Sequence, residues 1–142
     1  MKAEDEVLRK CLYFTSSRFT RVITKLAEEQ FEHTGFSPTY LYLLITVKSH
    51  PGITQKELCE KLSIAPSTST RFIDKLEKED VVIRKKEGKE TKLYLTEKGQ
   101  LIYVEARKSL KKLYEAYEKI LGRELSHALT DMLHEASEKL ER

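Results

Sequence analysis

Short hydroxyl side chains and cations are concentrated between residues 66 and 75, and their chemistry suits contact with a polyanion. They are Ser67, Thr68, Thr70, Arg71 and Lys75. Hydroxyls and lysines bind phosphate oxygens, whereas the planar fork of Arg71 can bind a guanine at two positions. Pro66 fits the first position of a helix, because its φ is already helical and its missing N–H costs nothing there. We therefore expect a helix that begins at Pro66 and presents Arg71 to a nucleic acid. Ser69 is expected to face inward.

A second group of cations lies in a segment with the pattern of a β-hairpin. Val81–Arg84 and Lys92–Leu95 are predicted strands, and the polar segment Glu87–Glu90 is the predicted turn between them. The cations of this hairpin are Arg84, Lys85, Lys86, Lys89 and Lys92, against Glu87 and Glu90. Cations at the tip of a hairpin suit phosphates or the narrow minor groove.

The segment before Pro66 predicts the helix that must position these groups. Thr54–Glu57 has the capping-box pattern, and Leu58, Cys59 and Leu62 form one face of a short helix of about two turns. The helix from Pro66 carries Phe72, Ile73 and Leu76 on its inner side. Two helices joined by a turn of about three or four residues form a helix-turn-helix, whose second helix enters the major groove. The hairpin that follows it is then a wing.

At these residues the chain resembles the MarR family of winged helix-turn-helix transcription regulators. The resemblance covers essentially the whole chain and rests on the order of four runs, Thr54–Leu58, Ser67–Arg71, Asp74–Lys78 and Leu95–Gly99. The chain departs from the family in three places. Glu87–Lys89 stands where the family usually has Asp-x-Arg, Asp80 where it often has glycine, and Ala65 where a polar cap is more usual.

The resemblance and the residue chemistry together predict the fold and the DNA contacts. The expected fold is mainly α with a small β-hairpin wing, in which the winged helix-turn-helix (37–96) is flanked by N- and C-terminal dimerisation helices (5–36 and 97–142). The predicted DNA-binding residues are Thr54, Gln55, Pro66, Ser67, Thr68, Thr70, Arg71, Lys75, Arg84, Lys86, Lys89 and Lys92. The resemblance implies a repressor that binds a palindromic operator as a homodimer.

The flanking segments have helical periodicity. Apolar residues recur at helical spacing from Asp5 to His33 without proline or glycine, which predicts one helix of about thirty residues. Its apolar positions are too many for one partner inside a small chain, so burial against a second copy is expected. A second, buried helix begins at Ser37–Pro38. A long helix from Thr96 to about Leu121 and a last helix after Gly122 complete the chain.

Composition narrows the functional class. The 142 residues are 39% hydrophobic and 35% charged, with a formal net charge of +3, which is mildly basic. No apolar run is long enough for a membrane span, and the acidic start does not read as a signal peptide. Two distant cysteines predict neither a disulfide framework nor a metal site, so the cytoplasm is the expected compartment. No catalytic motif is present, and we predict neither an enzyme nor a cofactor.

The sequence allows more than one signal to control the DNA binding of the predicted repressor. By resemblance, a small lipophilic or phenolic anion would bind where the dimerisation layer meets the winged lobe, with Phe14, Arg18, Tyr40 and Tyr42 as candidate contacts, although the aromatics also fit an ordinary core. Cys11 lies in the helix where peroxide-sensing members of the family carry a reactive thiol, but we interpret it as a small buried hydrophobe and keep the thiol sensor as the alternative. His127, Asp131 and His134 share one helix and are interpreted as surface residues, not a metal site. A winged-helix protein-interaction adaptor without DNA binding is the alternative from another class.

Overall fold

The structure, a computed structural model, describes residues 2–141. The elements in this range follow in the order α1 (Ala3–Lys10), α2 (Leu12–Phe31), a 3₁₀ turn (Glu32–Thr34), α3 (Pro38–Ser49), β1 (Ile53–Thr54), α4 (Gln55–Leu62), α5 (Pro66–Lys78), β2 (Val82–Glu87), β3 (Glu90–Leu95), α6 (Glu97–Leu121) and α7 (Arg123–Leu140). The predicted fold class, mainly helical with a small β wing, is confirmed. No helix of the described range is long and apolar enough to cross a bilayer.

The chain folds into two compact units. The first contains the described residues of Met1–Gln30 and Lys111–Arg142, and the second is Phe31–Leu110. The second unit, which we call the winged lobe, contains α3, the sheet, α4, α5 and the first part of α6. Its limits extend several residues beyond the predicted 37–96, because the 3₁₀ turn and the start of α6 pack with it.

Helix α3 supplies the centre of the winged lobe, as its nearly all-apolar sequence predicted. Leu41, Leu43, Leu44 and Val47 are buried. Around them lie the inner residues of α4, α5 and the wing, namely Ile53, Leu58, Cys59, Ile73, Leu76, Val81, Val82 and Leu93. Burial of this apolar surface stabilises the lobe and holds α4 and α5 at a set distance from the wing.

The wing is a three-stranded antiparallel sheet, in the order β1-β3-β2. The hairpin β2–β3 is where the two predicted strands and the polar turn between them placed it, but β1 was not predicted. With only Ile53 and Thr54, which pair with Leu93 and Lys92, β1 is too short to show a period in sequence. This strand ties the start of α4 to the base of the wing.

The junction between wing and α6 requires two special backbone positions. Asp80 stands where the MarR family often has glycine. Its φ is 60, in the left-handed region that aspartate tolerates. The Thr96 hydroxyl donates to the Asp80 carbonyl at 2.6 Å and accepts from the Gly99 N–H at 3.0 Å. A Cβ on Gly99 would lie 2.2 Å from the Val81 carbonyl oxygen, so only glycine fits this approach.

The prediction of one continuous helix from Asp5 to His33 is wrong. Cys11 has ψ 117, which is extended, and separates α1 from α2, while Glu32–Thr34 forms a 3₁₀ turn. No residue of α1 is buried, so tertiary packing does not hold α1 in line with α2. The Thr15 side chain also donates to the Cys11 carbonyl at 2.9 Å, and such local bonds compete with regular helix geometry.

Candidate nucleic-acid interface

The exposed ridge of α5 presents the residues predicted to read DNA. Ser69, Ile73 and Leu76 are buried and define the inner side of α5. At about 100° per residue, Ser67 and Arg71 point away from that side, and both are exposed. Pro66 occupies the first position of the helix, as predicted. Ser67 and Arg71 are therefore the side chains of α5 best placed to meet base edges.

The start of α4 is linked to α5 by a side-chain hydrogen bond. The Gln55 amide donates to the Thr70 hydroxyl at 2.7 Å, and that hydroxyl donates to the Pro66 carbonyl at 3.0 Å. Gln55 and Thr70, both predicted to bind DNA, are therefore hydrogen-bonded to each other. Thr54 is only 9% exposed, and its hydroxyl accepts from the Glu57 N–H as half of the predicted capping box. Its side chain acts in the protein as a helix cap.

An aromatic cluster braces one flank of α5. The Tyr40 ring of α3 meets Phe72 edge-on, with centroids 4.7 Å apart, and also contacts Phe36 at 6.0 Å. The Lys75 ammonium lies 4.9 Å from the centre of the Tyr40 ring, within the range of a cation–π contact. Two residues predicted for different roles, Tyr40 for an effector and Lys75 for DNA, are therefore neighbours in the winged lobe.

The opposite flank of α5 is tied to the wing by two ion pairs. Arg84 Nη2 lies 2.6 Å from Asp74 Oδ1, and Arg84 Nη1 lies 3.1 Å from Glu77 Oε1. Arg84 is one of the predicted DNA contacts, whereas the sequence predicts no role for the two carboxylates. Their spacing of three residues on one helix was the available signal, because such residues share a face.

The strand register divides the wing cations between two faces. Arg84 and Lys86 stand opposite Leu93 and Thr91, on the face that carries the buried Val82. Lys85 stands opposite Lys92 on the other face.

The cations of the outer face are engaged within the wing. The Lys85 ammonium lies 5.1 Å from the centre of the Tyr94 ring. Lys92 pairs with Glu87 at 2.9 Å, and this hydrogen bond and the charge of Glu87 raise the pKa of Lys92. The ammonium charge of the pair is therefore lost as the pH rises through that raised pKa.

The tip of the wing is open. Gly88 has φ 64, and a Cβ added there would meet nothing within 4 Å. Lys86 and Lys89 are exposed, and neither has an ion-pair partner among the described residues. Of the wing cations predicted to contact DNA, these two are the ones best placed to do so.

The candidate control residues are distributed over both units. Phe14 and Arg18 lie one turn apart on α2, partly buried and exposed respectively. Tyr40 and Tyr42 lie on α3, where residues two apart point in nearly opposite directions, and Tyr42 is 41% exposed. Cys11 is partly buried, whereas Cys59 is buried in the winged lobe.

The histidines of the last helix are paired with carboxylates. His127 lies 3.1 Å from Glu118, and His134 lies 3.8 Å from Glu138. Within residues 2–141, no three histidine, cysteine or carboxylate side chains are grouped as a metal site.

Known protein sequences are similar to the part of the chain that contains this interface. The sequence model of the MarR family matches residues 36–89, from α3 to the wing tip. An uncharacterised HTH-type transcriptional regulator from Bacillus cereus is 26% identical over 96 residues, which are 68% of this chain and 65% of that protein. This chain thus spans slightly less than two thirds of that relative. The HTH-type transcriptional repressor MdtR of Bacillus subtilis is 25% identical over 127 residues, 87% of this chain and 81% of its own.

Solved structures show the same fold along nearly the whole chain. The repressor CouR bound to a 23-mer DNA duplex superposes with a TM-score of 0.87 at 20% identity, covering 96% of this chain and 99% of CouR. CouR bound to p-coumaroyl-CoA gives a TM-score of 0.86 at 23% identity, with 96% of each chain covered. The MarR family model thus matches the helix-turn-helix and most of the wing, and the solved CouR structures have the same fold on both sides of that match.

Proposed function

We propose that the chain is a sequence-specific DNA-binding repressor of transcription that acts as a homodimer on a palindromic operator. The observation that carries this proposal is the ridge of α5, where Ser67 and Arg71 point outward from a helix braced on both flanks. A rigid helix with an exposed arginine near its start is the geometry with which a helix-turn-helix reads the major groove. The open cations Lys86 and Lys89 add backbone or minor-groove contacts.

Homodimerisation is supported by the apolar surface of the first unit. A groove of about 330 Å³ runs between α2 and the end of α6, lined by Phe19, Val22, Ile23, Lys25, Leu26, Glu29, Tyr117, Ile120 and Leu121. Val22 is 62% exposed and Ile120 is 72% exposed. On α7, Met132 and Leu140 are exposed by 65% and 69%. Apolar surface of this extent in a small protein is typical of an interface, and a second copy is the partner we propose.

The operator can be found by selection from a pool of randomised duplexes with the purified protein. Two-fold symmetry predicts an inverted repeat whose half-sites are separated by about one helical turn, 10–10.5 bp. Enrichment of a single, unrepeated half-site would contradict the homodimer. No enrichment over random DNA would contradict the repressor and favour the protein-interaction adaptor.

A small lipophilic or phenolic anion is the effector that we propose. Arg18 is an exposed cation one turn from Phe14 on α2, within the first unit. Cations beside aromatic rings bind flat anions. CouR, which has been solved with p-coumaroyl-CoA, is a precedent for a small-molecule ligand on this fold.

Salicylate titrated into the protein–DNA complex tests the effector. We expect release of the DNA from the wild type and not from Arg18→Ala, because the substitution removes the cation that would pair with the carboxylate. Arg107→Ala, which removes an exposed cation elsewhere, is the control and should release DNA normally. Equal release from all three proteins would remove Arg18 from the site.

Thiol oxidation is a second candidate control, favoured by the position of Cys11. This residue is partly buried and lies where α1 ends and α2 begins, so oxidation would add polar atoms at a bend of the backbone. Hydrogen peroxide is the probe. Release of DNA by peroxide from the wild type and from Cys59→Ala, but not from Cys11→Ser, would establish the thiol sensor. Persistence of the complex would exclude it.

A further inference from the structure

We infer that Arg84 is a positioning residue that clamps the wing to the recognition helix α5 and neutralises two carboxylates on it, and that it does not itself contact DNA. The inference rests on the proposed DNA binding and assigns different roles to the cations of the wing. Lys86 and Lys89 would make the contacts, and Arg84 would set where the wing stands.

The contacts of Arg84 are directed into the protein. Its two terminal nitrogens bind different carboxylates, Asp74 at 2.6 Å and Glu77 at 3.1 Å, so one guanidinium spans a full turn of α5. The Arg84 side chain is 22% exposed, against 60% for Asp74 and 44% for Glu77. A guanidinium held by two acceptors has a set orientation, because its fork is rigid.

The two carboxylates need a counterion if α5 is to approach DNA. A duplex carries one negative charge per about 1.7 Å of its axis. Asp74 lies only three residues after Arg71, the proposed base reader, so its charge would face the same groove. Uncompensated carboxylates at this position would repel the phosphates. Arg84 offsets their charge and holds both side chains on the flank that faces the wing.

The clamp also explains how a hairpin with an open tip is kept beside α5. Arg84 lies in the middle of β2, opposite Leu93, and Lys86 follows on the same face nearer the tip. Fixing Arg84 on α5 therefore fixes the direction in which Lys86 and the tip residue Lys89 extend. Without the clamp, the wing would keep its buried base at Val82 and Leu93 but lose its outer attachment.

The first test needs no DNA. Hydrogen exchange of the free protein compares wild type, Arg84→Gln and Lys86→Gln. We expect Arg84→Gln to speed amide exchange in the wing about three- to tenfold, as for loss of partly exposed ion pairs, and Lys86→Gln to leave it unchanged. Asp74→Asn with Glu77→Gln should reproduce the effect, and adding Arg84→Gln to that pair should cause little further change. Wing exchange that is indifferent to Arg84 would overturn the clamp.

The second test separates a clamp from a direct contact. On a selected duplex, single phosphates are replaced by neutral methylphosphonates, and the loss of affinity is measured at each position. For Lys89→Gln we expect that methylphosphonate replacement at one phosphate per half-site no longer lowers the affinity, because the lysine that bound this phosphate is missing. For Arg84→Gln we expect the wing phosphates to weaken together, with none becoming insensitive.

The outcomes of the two tests separate this inference from the proposed function. If replacement of one particular phosphate no longer lowered the affinity of Arg84→Gln, Arg84 would be shown to contact that phosphate, which would overturn its positioning role. Failure of the wild type to select any duplex would overturn the repressor, while the exchange measurement would still decide the clamp.

Discussion

At the scale of single residues, similar cations of α5 and the wing have different surroundings. Arg71 is exposed on the outer ridge, Lys75 lies over the Tyr40 ring, and Arg84 binds two carboxylates. The Arg71 guanidinium also lies 5.6 Å from the centre of the Phe72 ring, but a contact with a ring face leaves its N–H donors available, whereas Arg84 uses its terminal nitrogens on carboxylates. We therefore propose Arg71, which points away from the inner side of α5, as the base reader.

Replacing Arg71 by alanine should relax the sequence preference at one position of each half-site. The expected cost is about 1–3 kcal/mol per site on the preferred base, and little on the other bases, because a bidentate contact discriminates. Competition binding with duplexes substituted at each position measures this. Uniform weakening on all duplexes would make Arg71 a phosphate contact instead.

Gly99 is the glycine whose replacement should be most harmful to folding. A Cβ there would lie 2.2 Å from the Val81 carbonyl oxygen, and backbone atoms cannot move aside as a flexible side chain can. We expect Gly99→Ala to lower the free energy of unfolding by about 1–3 kcal/mol, in the range of overpacked sites. Gly88→Asn at the open tip is the control, since asparagine tolerates its positive φ. Urea denaturation that finds the two variants equally stable would contradict the close approach.

At the scale of elements, the wing has two faces with different expected roles. Lys85 and Lys92 face one side, where they are engaged by Tyr94 and Glu87, and Lys86 faces the side of α5. The twofold alternation of a strand separates neighbours such as Lys85 and Lys86, although the sequence shows them only as a run of cations.

Neutralising Lys89 should reduce the salt dependence of DNA binding. Each phosphate contact that is lost lowers the slope of log K against log salt by about one unit, because fewer counterions are released. Lys89→Gln is therefore compared with Lys85→Gln, which removes the same charge from the outer face and should leave the slope nearly unchanged. Titrations at several salt concentrations make the comparison. Equal slopes for both variants would mean that position on the wing does not matter.

At the scale of the whole molecule, the first unit has more exposed apolar surface than a lone chain would be expected to keep. Val22 and Ile120 line the groove between α2 and α6 and are mostly exposed. A second copy would bury them, and the proposed binding to a palindrome would depend on that burial, because each protomer would hold only one half-site.

Placing a charge in the groove should therefore weaken association and operator binding together. We expect Val22→Asp to shift the protein toward monomer, since burying an unpaired carboxylate is strongly unfavourable. Thr24→Asp adds the same charge to an exposed position of α2 outside the groove and should remain dimeric. Sedimentation velocity reports the association, and binding to the selected duplex reports its consequence. A monomeric wild type would contradict the homodimer.

The order of the elements, apart from β1 and the break between α1 and α2, could be predicted from the sequence alone. Thr54 caps α4, Pro66 begins α5, and two strand-forming runs around the polar turn at Gly88 form a hairpin. These signals are local, because a cap, a restricted φ or a turn acts within a few residues. The helix break at Cys11 escaped the same reasoning, since no proline or glycine marks it and α1 lacks packing that would straighten it.

The division of roles among the candidate site residues was decided only by the tertiary structure. Arg84 meets Asp74 and Glu77, Tyr40 meets Lys75, and Gln55 meets Thr70 across separate elements. The partner of a charged side chain depends on how helices and strands pack, and composition or spacing along the chain contains no such distance. Sequence identified which cations could bind DNA, and packing determined which of them already have a partner in the folded chain.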